Sequence, residues 1–369
     1  MSKLLKVILG VFFLSVAGLA VYSYALIDPN LTLINHPYWI AFRDPMVHLG
    51  YNMRSTSANI YIFLLVVLYL SHLFFVKKYK KLDPVRVSLI IGGILLFSYP
   101  LFSHDLFNYI FDAKILTFYG KNPYQYMPGD FYQDEWLRFM HWTDRRYPYG
   151  PSFLIISFLP SFLAMGKFIL NFIFFKLLFV ISYIVSVYIL GKIHKRGAVL
   201  FATNPLILFE GVVNAHNDLI SVTLGIVGIY YLWNNHKVRG KIALILSAGI
   251  KFLTLPIIIL TKERKLLNLL AFIGQIALIT YLSTVREIQP WYFLPLFIFL
   301  PIYPYFIDKI QIFLFGLLLA YYPYIRFGGW DTLEKVQIKH EIIYAFAIVN
   351  AFYLVVFYRS RLLGYFLKK

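Results

Sequence analysis

FILNFIFFKLLFVISYIVSVYIL, residues 168–190, decides the fold class. It holds a single charge, Lys176, in an apolar run long enough to cross the ~30 Å hydrocarbon layer of a bilayer, which takes about 20 helical residues. Comparable runs occupy 7–26, 60–76 and 342–358. The whole chain agrees with them. Of 369 residues, 60% are hydrophobic, 20% aromatic and only 14% charged, where a soluble domain carries roughly 25% charged residues. Mean hydropathy is +0.69. Several spans follow the first, whose apolar core is long and ends at no clear small-residue cleavage site, so it reads as a retained span rather than a removed signal.

The net charge of +18 would suit nucleic acid if it formed one patch. Instead the basic residues sit beside the spans: Lys3 and Lys6, 77–81 with Arg86, 192–196, 237–241, 262–265 and 359–369. That is the positive-inside pattern of cytoplasmic loops, which also attract anionic lipid, and no nucleic-acid partner is expected. Cysteine is absent, which excludes disulfides and thiolate chemistry.

With the N-terminus inside, spans at 4–26, 58–76 and 87–102 deliver the chain to an outer stretch, 103–151. This stretch is dense in Tyr and Trp and contains Asp105, Asp112, Asp130, Asp134, Glu135 and Asp144. Charge then requires only one of 152–166 and 168–190 to cross. The shorter, 152–166, is expected to be a half-helix or to lie in the interface, and 198–213 to cross once. Segment 241–260, two short apolar pieces around Lys251, reads as re-entrant, which is tolerable where it lines a polar cavity or is buried in protein. The expectation is an all-α polytopic membrane protein: a single integral membrane domain over 1–369, with about eleven to thirteen hydrophobic helices and 103–151 as a large extracytoplasmic loop. No short-period repeat is evident.

Acids that abut apolar helices are expensive and mark functional sites. Four stand out: Asp105, Asp112, Glu210 and Asp218. Asp105 lies in SHDLFNY (103–109), and Asp112 follows two helical turns later on the same face. Paired carboxylates at a membrane boundary suit proton abstraction or cation binding; the plainer account is solvated residues complementing a helix N-terminus. KNPY (121–124) and RRYPYGP (145–151) read as rigid turns whose rings can stack on sugars, although most of the 30 Tyr and 36 Phe belong to an interfacial belt. Arg145 and Arg146 suit a phosphate.

NAHND (214–218) precedes an apolar helix. A helix cap accounts for Asn217 or Asp218, but not for Asn214 and His216 as well. The spacing of Glu210, His216 and Asp218 matches no metal motif, and no metal or cofactor is expected. Lys251, a lone ammonium in apolar sequence, must be paired or snorkel; a lipid phosphate would pair it. Lys176 poses the same question without a polar cluster beside it. Arg286 and Gln289, ahead of PWY (290–292), form a further polar group at a span mouth. No nucleotide-binding or hydrolase motif is present.

These residues resemble those of the GT-C glycosyltransferases, most closely the polyprenyl-phosphate-mannose-dependent mannosyltransferases. The resemblance covers roughly 100–295. It rests on Asp105–Tyr109, GKNPY (120–124), Tyr149-Gly150-Pro151, Asn204-Pro205 followed by His216-Asn217-Asp218, Lys251, and QPWY (289–292). It implies a multispan helical fold, an outward-facing active site and an inverting transfer of a sugar, mannose among the candidates. The donor would be a polyprenyl-phosphate sugar and the acceptor a glycan or lipid, in the plasma membrane of a prokaryote. Asp105 maps onto the family's general base. Lys251 with Arg145 or Arg146 would hold the donor phosphate. Tyr109, Asp112, Asn122, Tyr124, Tyr149, Asn214, His216, Asn217, Asp218, Gln289 and Trp291 would contact the sugars. In many GT-C enzymes the first large loop follows the first span; here that leaves Asp44, in RDP (43–45), as a competing base. The rival readings are a lipid-linked oligosaccharide polymerase or ligase, and a lipid or solute transporter, for which matched broken helices in two inverted halves would be expected.

Overall fold

The computed structural model describes residues 2–29, 31 and 33–366, with side chains placed as far as residue 356; the basic cluster at 359–369 lies outside the described side chains. Among the described residues the chain is helical with no strand. The helices are α1 (Lys3–Tyr22), α2 (Pro37–Val47), α3 (Arg54–Lys77), α4 (Pro84–Leu95), α5 (Asp105–Thr117), α6 (Pro151–Leu163), α7 (Phe168–Ile193), α8 (Lys195–Thr203), α9 (Asp218–Trp233), α10 (Lys237–Ala248), α11 (Lys265–Val285), α12 (Phe306–Lys309), α13 (Gln311–Leu319) and α14 (Leu333–Phe366). Five are long and apolar enough to cross a membrane: α1 with its extension to Leu26, α3, α7, α11 and α14. A sixth candidate is broken, because α8 and the π-helical segment Ile207–Val213 meet at 68°.

Local chemistry sets the boundaries. Asp83 accepts hydrogen bonds from the amides of Val85 and Arg86 while Pro84 opens α4, a standard cap-and-proline start. The span expected over 87–102 stops early, at Leu95. Pro100 pushes the residue before it out of helical geometry, and Ser98 and Tyr99 turn inward instead, the Tyr99 amide donating to Ser23 Oγ at 2.8 Å. Helix α6 is 13 residues long, about 20 Å at 1.5 Å per residue, too short to span. It ends where Met165 and Gly166 both adopt positive φ, and Ile155, Leu159 and Phe162 face outward along one side.

Helix α7, 26 residues long, is the central pillar. Asn171, Phe172, Phe175, Lys176, Phe179, Tyr183, Ser186 and Leu190 are buried at the three-and-four spacing of one helical face. Its small polar residues bond to a neighbour, with Ser186 Oγ donating to Thr223 Oγ1 of α9 at 2.9 Å, as in membrane helix packing. Lys176 is fully buried, and its ammonium donates to Ser98 Oγ (3.0 Å) and to the carbonyls of Val212 (2.6 Å) and Val213 (3.0 Å). It therefore satisfies carbonyls left free by the bent segment rather than snorkelling.

The bundle has two chemically distinct ends. At one, lysine-bearing turns meet: Lys195 donates to the Lys80 carbonyl, Lys262 to the Trp233 carbonyl, Lys237 pairs with Glu263, and Arg196 with Asp308. At the other lie the 23–53 segment, the 96–150 loop and the turns at 214–217 and 249–251. These are joined by Tyr24 Oη to the Phe97 carbonyl (2.6 Å) and the Phe102 amide to Asn214 Oδ1 (3.0 Å). Segment 241–260 folds as α10 followed by a 3-10 stretch, Phe252–Ile259, and carries Lys251 at the break. There the Gly150 amide donates to the Ile250 carbonyl (3.0 Å) and the Ser152 amide to the Gly249 carbonyl (3.1 Å). A β-carbon on Gly150 would stand 2.0 Å from the Gly249 oxygen. Gly150 has φ of −73°, so space rather than backbone freedom requires glycine.

Candidate active site

Asp105 opens α5, where the helix N-terminus favours a carboxylate, and its amide donates to Ser103 Oγ at 3.1 Å. One carboxylate oxygen is held: Oδ2 accepts from Tyr109 Oη at 3.3 Å and lies 3.4 Å from His216 Nδ1. Among the described residues Oδ1 has no partner. The side chain is 14% exposed. His216, 1% exposed, places Nε2 3.2 Å from Glu210 Oε2, and its ring stacks on Trp291 with centroids 4.3 Å apart and planes 20° apart. Glu210 comes from the π-helical segment and is fully buried.

Burial alone would raise the Asp105 carboxyl, but hydrogen bonding and charge from His216, reinforced by Lys251 and Arg145, hold it below the usual carboxylate range. Burial opposes the charge on His216, yet the carboxylates of Asp105 and Glu210 push its imidazole up to about 9. The pair is therefore carboxylate and imidazolium at neutral pH. Asp112 differs: burial pushes it up to about 8 against the attraction of Arg145, so it is neutral where Asp105 is charged.

A second cluster adjoins the first. Lys251 Nζ lies 2.6 Å from Asp218 Oδ2, with Lys251 24% exposed and Asp218 buried. The cap account of NAHND does not hold, because neither Asn217 nor Asp218 caps α9 with its side chain. The Asn217 amide instead donates to Tyr109 Oη at 3.3 Å. Both side-chain polar atoms of Asn217, and Oδ1 of Asp218, are buried without partners. Asn214 is occupied internally, accepting from Phe102 and donating to Glu210 Oε2 at 3.1 Å.

The 145–151 turn supplies Tyr149, edge-on to Tyr109 at 5.1 Å, and Arg145, which sits over the Trp142 ring at 4.3 Å. Arg146 is exposed in the same turn. Tyr124 Oη donates to the Tyr149 carbonyl, and Asn122 Oδ1 braces the Tyr124 amide, so the KNPY turn supports the 145–151 turn from outside. Gln289 accepts from Lys339 Nζ at 3.2 Å. Asp44, the competing base, pairs with the adjacent Arg43 and is 58% exposed.

Two features escaped sequence reasoning. Lys339 of α14 is buried, ion-paired to Glu287 at 2.6 Å and seated over Trp330 at 5.0 Å; its only sequence signal was a lysine at the edge of a span. Lys114 of α5 is locked to Asp134 at 2.5 Å over the Trp136 ring at 3.5 Å, pinning the loop to the helix that carries Asp105. Among the described residues no group of three or more His, Asp or Glu side chains is arranged to hold a metal ion.

Residues 8–262 match the family model described as alpha-(1->6)-mannopyranosyltransferase, N-terminal domain. No curated protein and no solved structure matches. The matched segment contains Asp105, Glu210, His216, Asp218 and Lys251; Trp291 and Lys339 lie beyond it.

Proposed function

This chain belongs to the alpha-(1->6)-mannopyranosyltransferase family, and from that premise we propose that it moves a mannosyl unit from a polyprenyl-phosphate donor to a hydroxyl of a glycan or lipid acceptor, with Asp105 as general base. The observation that carries this is the asymmetry of Asp105: one oxygen accepts from Tyr109 and lies beside the His216 imidazole, and among the described residues the other has no partner.

In the proposed step the acceptor O–H gives its proton to Asp105 Oδ1 as the acceptor oxygen attacks the anomeric carbon from the face opposite the phosphate. The bond from anomeric carbon to phosphate oxygen breaks, and polyprenyl phosphate leaves with the electron pair, inverting the anomeric centre. The leaving group is already an anion, so it needs charge stabilisation more than a proton. Lys251 suits that role because Asp218 holds one of its protons and the side chain is still partly exposed; the Arg145 guanidinium is the second cation. Trp291 and Tyr149 offer apolar faces to sugar rings. Gathering of the lysine-rich turns at the opposite end supports an extracytoplasmic site, by the positive-inside rule.

The test is transfer of radiolabelled mannose from polyprenyl phosphate by purified Asp105→Asn protein. General-base loss lowers turnover about 10²- to 10⁴-fold, and near-wild-type turnover would end the reading.

A further inference from the structure

We propose that Glu210 is a positioning residue for the base, acting through His216: it anchors the far nitrogen of the imidazole so that the near one holds Asp105 Oδ2. This rests on the assignment of Asp105 above. An acid with no exposure at all is retained at a cost unless it is paired, and the pairing here is specific. Oε2 faces His216 Nε2 at 3.2 Å and accepts from Asn214 Nδ2 at 3.1 Å. The Glu210 carbonyl accepts the His216 amide at 3.0 Å, so the main chain folds the histidine back onto the acid that grips it. The π-helical geometry of Ile207–Val213, an arrangement often found at functional sites, carries that acid.

The imidazole is held by charge between the two carboxylates: Nδ1 and Nε2 lie 3.4 and 3.2 Å from their oxygens, within ion-pair distance although neither meets hydrogen-bond geometry. It then sets a cation against one Asp105 oxygen and leaves the other to receive the acceptor's proton. Trp291 stacks on the ring and restricts its rotation. The groups facing these three side chains are Tyr109, Tyr149, His104, Asp112, Lys251 and Arg145 on the Asp105 side, and Tyr321, Tyr61 and Lys339 on the Glu210 side. None of them can replace the contact to Nε2.

Glu210→Gln keeps the size and an acceptor oxygen but removes the charge. The expected result is that the acidic limb of kcat/KM moves up by about one pH unit, the lower end of what a neighbouring charge does to a carboxyl, with the donor KM unchanged. In a His216→Gln background the same substitution should move the limb no further, because residues acting as a unit are non-additive. Where Glu210→Gln does not fold, Glu210→Asp and His216→Gln each carry the test through the same limb. An unmoved limb, or an equal shift with and without His216, overturns the inference. If Asp105→Asn is inactive while the Glu210 variants match wild type, only the positioning role falls; an active Asp105→Asn enzyme removes the base assignment and this role with it.

Discussion

Gly150→Ala adds one methyl group where the structure has no room for it. The new β-carbon would meet the Gly249 oxygen at 2.0 Å and its carbon at 2.7 Å. An ordinary carbon–oxygen contact needs more than 3 Å, so the two backbones must part by about 1 Å. That separation breaks or stretches the two hydrogen bonds across the seam, Gly150 to Ile250 and Ser152 to Gly249. Two such bonds contribute about 1–3 kcal/mol together, and forcing a methyl into a packed site adds about 1–3 kcal/mol. The expected catalytic consequence is of the same order as the stability loss. Lys251 follows Ile250 directly, and in its proposed role at the donor phosphate a shift of about 1 Å should lower rate about 10²-fold. The assay is the donor-concentration dependence of mannosyl transfer by protein that remains folded, together with its thermal midpoint in detergent. A variant with wild-type kinetics and an unchanged midpoint would refute the claim that this seam positions Lys251.

Lys176→Met should leave the carbonyls of Val212 and Val213 without a donor; orphaned buried acceptors cost about 1–3 kcal/mol each, so a loss of about 3 kcal/mol is expected in reversible unfolding, against no loss if a water replaces the ammonium. Asp112→Asn should raise the thermal midpoint more at pH 9 than at pH 6. A carboxyl pushed up to about 8 by burial destabilises the fold as pH rises from its ordinary value through 8, and an equal effect at both pH values would contradict this.

Much of the candidate cluster was legible in the sequence because a charge beside apolar helices is rare enough to be noticed. Asp105, His216, Asp218, Lys251 and Trp291 were singled out from segments far apart in the chain, and the fold brings them into one cluster. The all-α polytopic architecture followed from composition and run length alone, and the short 152–166 helix and broken 241–260 segment followed from the charge pattern. Pairing was not legible. Nothing local says that Lys251 meets Asp218 rather than standing free, that Asn214 is occupied by Phe102 and Glu210, or that Gln289 is held by a lysine 50 residues onward. These contacts cross helices whose order in space the hydrophobic pattern does not encode. Early termination of α4 was missed because apolar residues continue past Leu95, and only Pro100 hinted at the break.

The buried ammonium of Lys176 also bears on how the chain is assembled. A segment bent by 68° with carbonyls turned off its own axis is poorly suited to entering lipid alone, where an unsatisfied backbone group is costly. Its donor sits on the preceding helix, already synthesised when 195–213 emerges. The broken segment therefore draws its backbone satisfaction from α7, and the two form one unit in which the lysine supplies the donor its neighbour's own geometry lacks.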